Sequence, residues 1–122
     1  MTTYDSVGRV ESRVSPGVTF TVRRMSFTRR TDLMRRIREL AGRMEFLEAG
    51  QSPQEQMDAG LLRAEIDRVY LEWGLTGVEG LTLDGEPATP ELLARIGPED
   101  LFQEALQAVR TEAGLSEAER KN

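Results

Sequence analysis

The chain contains no histidine and no cysteine, and its one lysine is Lys121. Without histidine, the ordinary serine and cysteine triads and most zinc sites lose the base or ligand they depend on. Without cysteine there is no thiolate nucleophile and no disulfide to reinforce a small core. Catalysis would have to run on carboxylates, arginine, tyrosine or that lysine. Two acidic pairs come closest to a carboxylate dyad or a magnesium site: Glu65 with Asp67, and Glu99 with Asp100. Residues one or two apart do not share a helix face, so neither pair converges on a reacting atom. The loop Gly77-Val78-Glu79-Gly80 carries neither the Gly-Lys-Ser/Thr of a nucleotide-binding loop nor a strand-to-helix GxGxxG. These residues point to no catalytic site, no metal and no cofactor.

Two sets of side chains could instead make contacts. Arg29, Arg36 and Arg43 recur every seven residues, a spacing that puts them on one side of a helix and could track phosphates. Asp32 and Glu39 are interleaved with them, and only Phe20 and Phe27 lie nearby for base stacking. A solvated, ion-paired helix face therefore outweighs nucleic-acid binding. The second set is apolar. Met25, Met34, Met44 and Met57 lie in or beside two helical stretches, and methionine serves both as core filler and as an adaptable gripping surface. Tyr70 and Trp73 read first as core or docking residues. For an apolar partner, the candidate contacts are Met34, Ile37, Met44, Met57 and Trp73.

These side chains need helices to position them. From Thr28 to Gly50 the apolar residues Leu33, Ile37, Leu40, Met44 and Leu47 step by four, three, four and three, which makes one stripe along a helix. Ser26 and Thr28 are possible caps, and Asp32 is expected in the first turn, favoured by the helix dipole. Ser52-Pro53-Gln54-Glu55 opens a second helix with a capping box and Pro at its first position; its face is Leu62, Ile66, Val69 and Trp73, and Gly74 ends it. The short link around Gly50 predicts an antiparallel helical hairpin.

Before it, Val7–Val14 and Gly17–Met25 alternate around Ser15-Pro16-Gly17, predicting a β-hairpin whose Val18, Phe20 and Val22 face lies on the first helix. After it, Asp84-Gly85 marks a β-turn or miniature hairpin. Thr89-Pro90-Glu91 caps a short helix carrying Leu92, Leu93 and Ile96. Pro98-Glu99-Asp100 opens another, with Phe102, Ala105, Leu106 and Val109 on one face and Gly114 as its stop. A last turn from Ser116 is possible.

The fold class expected is α+β, mainly α. An N-terminal β-hairpin packs on a central antiparallel helical hairpin, with a short β-turn and further helices at the C-terminus. At 122 residues the chain is one domain's worth, divided as 1–25, 26–74 and 75–122. No segment nears the roughly 18 consecutive apolar residues of a membrane span, and the N-terminus resembles no secretion signal, so a cytoplasmic location with no membrane contact is expected. Residues 1–50 hold ten arginines against six acids, and residues 51–122 hold six basic groups against fifteen acids. That division suits docking between halves or head-to-tail self-association into a homo-oligomer, and it opposes tight binding to a phosphate backbone.

Four segments, VRRMSF at 22–27, IDRVYLEWGL at 66–75, VEGLTLDGEPATPE at 78–91 and GLSEAERKN at 114–122, together resemble small tailed-phage and prophage proteins similar to tail assembly chaperones. The resemblance implies a non-enzymatic factor of the bacterial host cytoplasm. It implies that the chain binds the tape measure protein, keeps its hydrophobic helices soluble and helps recruit the tail tube protein. It carries over no catalytic residue. Such chaperones are often made in two forms by a programmed frameshift, and Lys121-Asn122 can be encoded by AAA-AAC, part of a slippery heptamer. The other classes in view are a nucleic-acid-binding regulator using Arg29, Arg36 and Arg43, and a structural head or tail completion protein.

Overall fold

The computed structural model describes residues 1–115, 119 and 120; the expected turn from Ser116 and the Lys121-Asn122 end lie outside the described residues. The fold is α+β and mainly helical, with an N-terminal antiparallel hairpin and C-terminal helices. Strands β1 (Val7–Glu11) and β2 (Thr19–Arg23) precede helices α1 (Phe27–Glu48) and α2 (Pro53–Gly74). Strands β3 (Leu75–Glu79), β4 (Thr82–Leu83) and β5 (Glu86–Pro87) and helices α3 (Pro90–Ile96) and α4 (Glu99–Ala113) follow. The chain forms two compact units, one from Met1–Met25 with Tyr70–Gly114, the other from Ser26–Val69 with the residues from Leu115. Residues 1–25 and 75–114, the first of the three parts read from the sequence and most of the last, thus belong to one unit together with Tyr70–Gly74.

In that first unit the sheet order is β1-β2-β3, antiparallel throughout, so β2 has a strand on each side. Alternation along β2 and the residue before it buries Val18, Phe20 and Val22, as the sequence pattern requires. Strand β3 is the element that alternation misses. Its apolar residues Leu75 and Val78 are three apart, an odd spacing that would put them on opposite faces of a regular strand. A bulge absorbs the difference: Thr21 pairs with Gly77 and Val22 with Leu75, leaving Thr76 as the extra residue, and both Leu75 and Val78 are buried. Helix α4 contacts β2 and β3 and buries Leu101, Ala105, Leu106, Val109 and Ala113. Arg110 of α4 lies over the buried Tyr70 ring, 4.6 Å from its centroid.

The β1–β2 loop is fastened to α4 by one carboxylate. Glu104 accepts the Ser12 hydroxyl, the Arg13 N–H at 2.7 Å and the Val14 N–H at 3.3 Å, and the Ser12 oxygen accepts the Ser15 N–H at 2.9 Å. Ser12 is the buried polar residue of this unit. Burial pushes the Glu104 carboxyl up, but the hydrogen bonds from Ser12, Arg13 and Val14, with the nearby Arg13 charge, outweigh it and hold the pKa below the ordinary glutamate value. Between β3 and α3, Asp84 and Gly85 take φ of 51° and 81° and close the small β4–β5 ribbon, the turn their sequence demands. Thr89 caps α3, accepting the Leu92 N–H at 3.1 Å.

The second unit is the helical hairpin. Ser26 caps α1 by accepting the Arg29 N–H at 3.2 Å. No acid lies in the first turn of α1; Asp32 instead pairs with Arg36 one turn on, at 3.3 Å. The helix therefore begins earlier than the Thr28 start, which moves Asp32 beyond reach of the dipole's positive end. At α2, the Ser52 hydroxyl accepts the Glu55 N–H at 3.1 Å and donates to the Glu55 carboxylate at 2.9 Å. Arg63 of α2 reaches Glu48 of α1 at 2.7 Å, as an antiparallel pair requires. Leu33, Ile37 and Ala41 from α1 and Ala59, Leu62 and Ile66 from α2 are buried.

Two substitutions at glycines separate backbone strain from collision. Gly80 and Gly85 both have positive φ, but a Cβ at Gly80 would run into the Gly17 carbonyl oxygen, whereas Gly85 faces open space. Gly85→Ala is expected to cost roughly 1 kcal/mol in denaturant unfolding and Gly80→Ala clearly more. The Glu104 clasp gives a pH signature. Its folded-state pKa is depressed, so its contribution is present above the glutamate pKa of the unfolded chain and is lost as pH falls through the folded value. Glu104→Gln should lower stability by roughly 1 kcal/mol at neutral pH, and wild-type and variant unfolding curves should converge in acid.

Candidate functional site

Burial along the helical hairpin is uneven. On α1, Leu33 and Ile37 are fully buried, Leu40, Met44 and Leu47 are half-buried, and Phe46 is 77% exposed. On α2, Leu62 and Ile66 are buried, while Met57 is 69% and Leu61 63% exposed. One helical step is about 100°, so Phe46 beside Leu47 and Leu61 beside Leu62 are turned away from the seam between the helices. Between them runs an open groove of about 750 Å³. Gly42, Phe46 and Leu47 line it from α1 and Leu61 and Leu62 from α2, with Arg38, Glu39, Arg43 and Asp58 around the rim. Gly42 presents no side chain, and nothing lies within 4 Å of where its Cβ would be, which keeps the groove open beside Phe46.

The residues singled out from sequence are distributed differently. Ile37 is fully buried and Trp73 is 5% exposed, so both are core residues and neither offers a contact surface. Their place on the apolar stripes, which made them candidates, is also what buries them. Met44 is half-buried on the seam side of α1. Met34 is half-buried in a separate shallow depression with Thr31, Arg35, Arg38 and Glu39. Met57 is exposed and lies one helical turn before Leu61. Of the arginine row, Arg29 is half-buried, Arg36 is tied to Asp32, and Arg43 stands on the groove rim.

Sequence reading passed over Phe46 and saw Leu61 only as a flank of the α2 apolar face, nominating neither as a partner contact, because each sits off its stripe. The available signal was the doublets Phe46-Leu47 and Leu61-Leu62, where a helix places one member inside and leaves the other out. Among the described residues no group of three or more acidic side chains is gathered that could hold a metal ion, and no helix is long and apolar enough to cross a membrane. No protein family, curated protein or solved structure matches this chain.

What the groove can do follows from its lining. Apolar area removed from water is worth about 25 cal/mol per Å², so a ligand bringing its own apolar side chains between Phe46 and Leu61 gains most from burial. The rim charges set orientation more than affinity. Within one copy of the chain both side chains are in water, so at protein concentrations low enough to keep copies apart, replacing both Phe46 and Leu61 by Ser is expected to reduce binding of a hydrophobic dye such as ANS while changing folding stability by less than about 1 kcal/mol. Ile37→Ala should instead cost roughly 2–5 kcal/mol.

Proposed function

We propose that this chain is a non-enzymatic binding protein that holds apolar helical segments of a partner in the α1–α2 groove, in the manner of a phage tail assembly chaperone. The observation that supports this most directly is the exposure of Phe46 and Leu61 side by side with a Gly42-floored groove between them. An amphipathic helix anchors through residues at i, i+3, i+4 and i+7, and a groove between two parallel-running helix axes accepts such a row along its length. Met57 extends the apolar strip by one turn and can adjust its rotamer to side chains of different shape. The client of this reading is the tape measure protein, with the tail tube protein recruited afterwards, in the cytoplasm of a bacterial host.

The mechanism is burial without chemistry. A long apolar helix has no aqueous refuge before the tail tube forms around it. Covering successive turns lowers its tendency to aggregate, and moderate affinity lets tube subunits displace the cover. The test is co-expression with the long helical protein encoded in a neighbouring reading frame. We expect that protein to stay soluble and co-purify with the wild-type chain, and to be lost to the pellet with the Phe46→Asp, Leu61→Asp double variant. Equal solubility with and without this chain would overturn the proposal.

A further inference from the structure

The two sides of the groove differ in charge as well as in sequence. Helix α1 carries six arginines against four acids, and α2 carries five acids against two arginines. At the groove, α1 contributes Arg38, Glu39 and Arg43 to the rim, a side of net positive charge, and α2 contributes the anion Asp58; Arg43 and Asp58 are not among the partners of the Arg30–Glu119, Arg36–Asp32 and Arg63–Glu48 ion pairs. A surface with an apolar centre, a positive side and a negative side is complementary to itself under a two-fold rotation. The rotation must set α1 of one copy on α2 of the other.

We propose that in the free protein this groove is covered by the same groove of a second copy of the chain, the two hairpins forming an antiparallel four-helix bundle. The two-fold axis runs along the hairpins, so that both inter-helix tips lie at the same end. That operator brings Arg43 of each copy to Asp58 of the other and closes Phe46 and Leu61 against their counterparts. The alternative axis, across the hairpins, sets α1 on α1 and α2 on α2, stacking like charges along the interface. Two helices expose too much of their circumference to hide Phe46 and Leu61 as well as the neighbouring Met57, and four in a bundle have the seam to do so. The inference does not depend on the chaperone reading, since a second copy occupies the groove whether or not a foreign helix later displaces it.

Sedimentation equilibrium on the full-length chain tests it. The wild type is expected to be a dimer, and Phe46→Asp with Leu61→Asp a monomer whose far-ultraviolet circular dichroism still reports a folded helical protein. Arg43→Asp alone and Asp58→Arg alone should each weaken the dimer about tenfold or more, and the two together should restore it. A monomeric wild type, a dimer indifferent to position 46 and position 61, or failure of the charge exchange to restore association would each overturn the proposal. The outcomes remain separable from those for client binding. A monomer that still solubilises its helical client defeats only the dimer, and a charge-restored dimer that solubilises nothing defeats only the chaperone reading.

Discussion

Two antiparallel helices can hide from water only the side chains that point at each other, and that geometric limit governs the α1–α2 hairpin. Each helix turns through about 100° per residue, so consecutive apolar residues cannot both lie on the seam. Leu47 and Leu62 take the inward positions and are half-buried and buried; Phe46 and Leu61, their immediate neighbours, are left in solvent. The exposure therefore follows from sequence phase and does not need a loose or distorted helix to explain it. Large apolar side chains kept exposed and contiguous mark contact surfaces more often than they mark accidents, because they carry a standing risk of aggregation.

The other unit meets the opposite demand. Its sheet needs a cover for Val18, Phe20 and Val22, and the cover comes from the far end of the chain, in α4. The Glu104 clasp joins residues 92 positions apart, so this unit forms only after its two sequence-distant pieces meet. Closing so long a loop is entropically slow but adds little to the equilibrium cost, because that cost grows only with the logarithm of length. The helical hairpin is thus an insertion between the neighbouring strands β2 and β3.

Local chemistry was the most legible part of the sequence. Ser52 with Glu55, Asp84 with Gly85, and Thr89 before Pro90 each announce a cap or a turn within four residues, and each forms as announced. The α+β class with its N-terminal hairpin follows from period and turn residues in the same way. What escaped reading depends on partners far away in the chain. Strand β3 is recognisable only once its bulge against β2 reconciles the odd spacing of Leu75 and Val78. Glu104 looks like any exposed helical acid until the β1–β2 loop arrives above it. At the candidate site the error was of a different kind. Apolar periodicity identified the seam and nominated Ile37 and Trp73 from it, but a side chain in phase with the seam is consumed by the fold. The residues left over for a partner are the apolar ones out of phase.

The groove also owes something to how the tip of the hairpin is held. Gln56 donates to the Glu48 carbonyl at 3.0 Å and to the Gly50 carbonyl at 2.7 Å, and Arg63 reaches the Glu48 carboxylate, so the end of α1 is tied down by side chains of α2. Those carbonyls are the ones a helix C-terminus leaves without intrahelical donors. Satisfying them from α2 fixes the spacing of the two helices near Phe46 and Met57 before any ligand arrives. A preformed groove loses less conformational entropy on binding than one that must be assembled, which favours the capture of apolar segments that are themselves poorly ordered. The tip is held by hydrogen bonds and an ion pair, whereas the Met57 and Phe46 side chains are exposed and can change rotamer without displacing neighbours. That division suits a surface that meets a succession of different apolar turns better than one built for a single fixed shape.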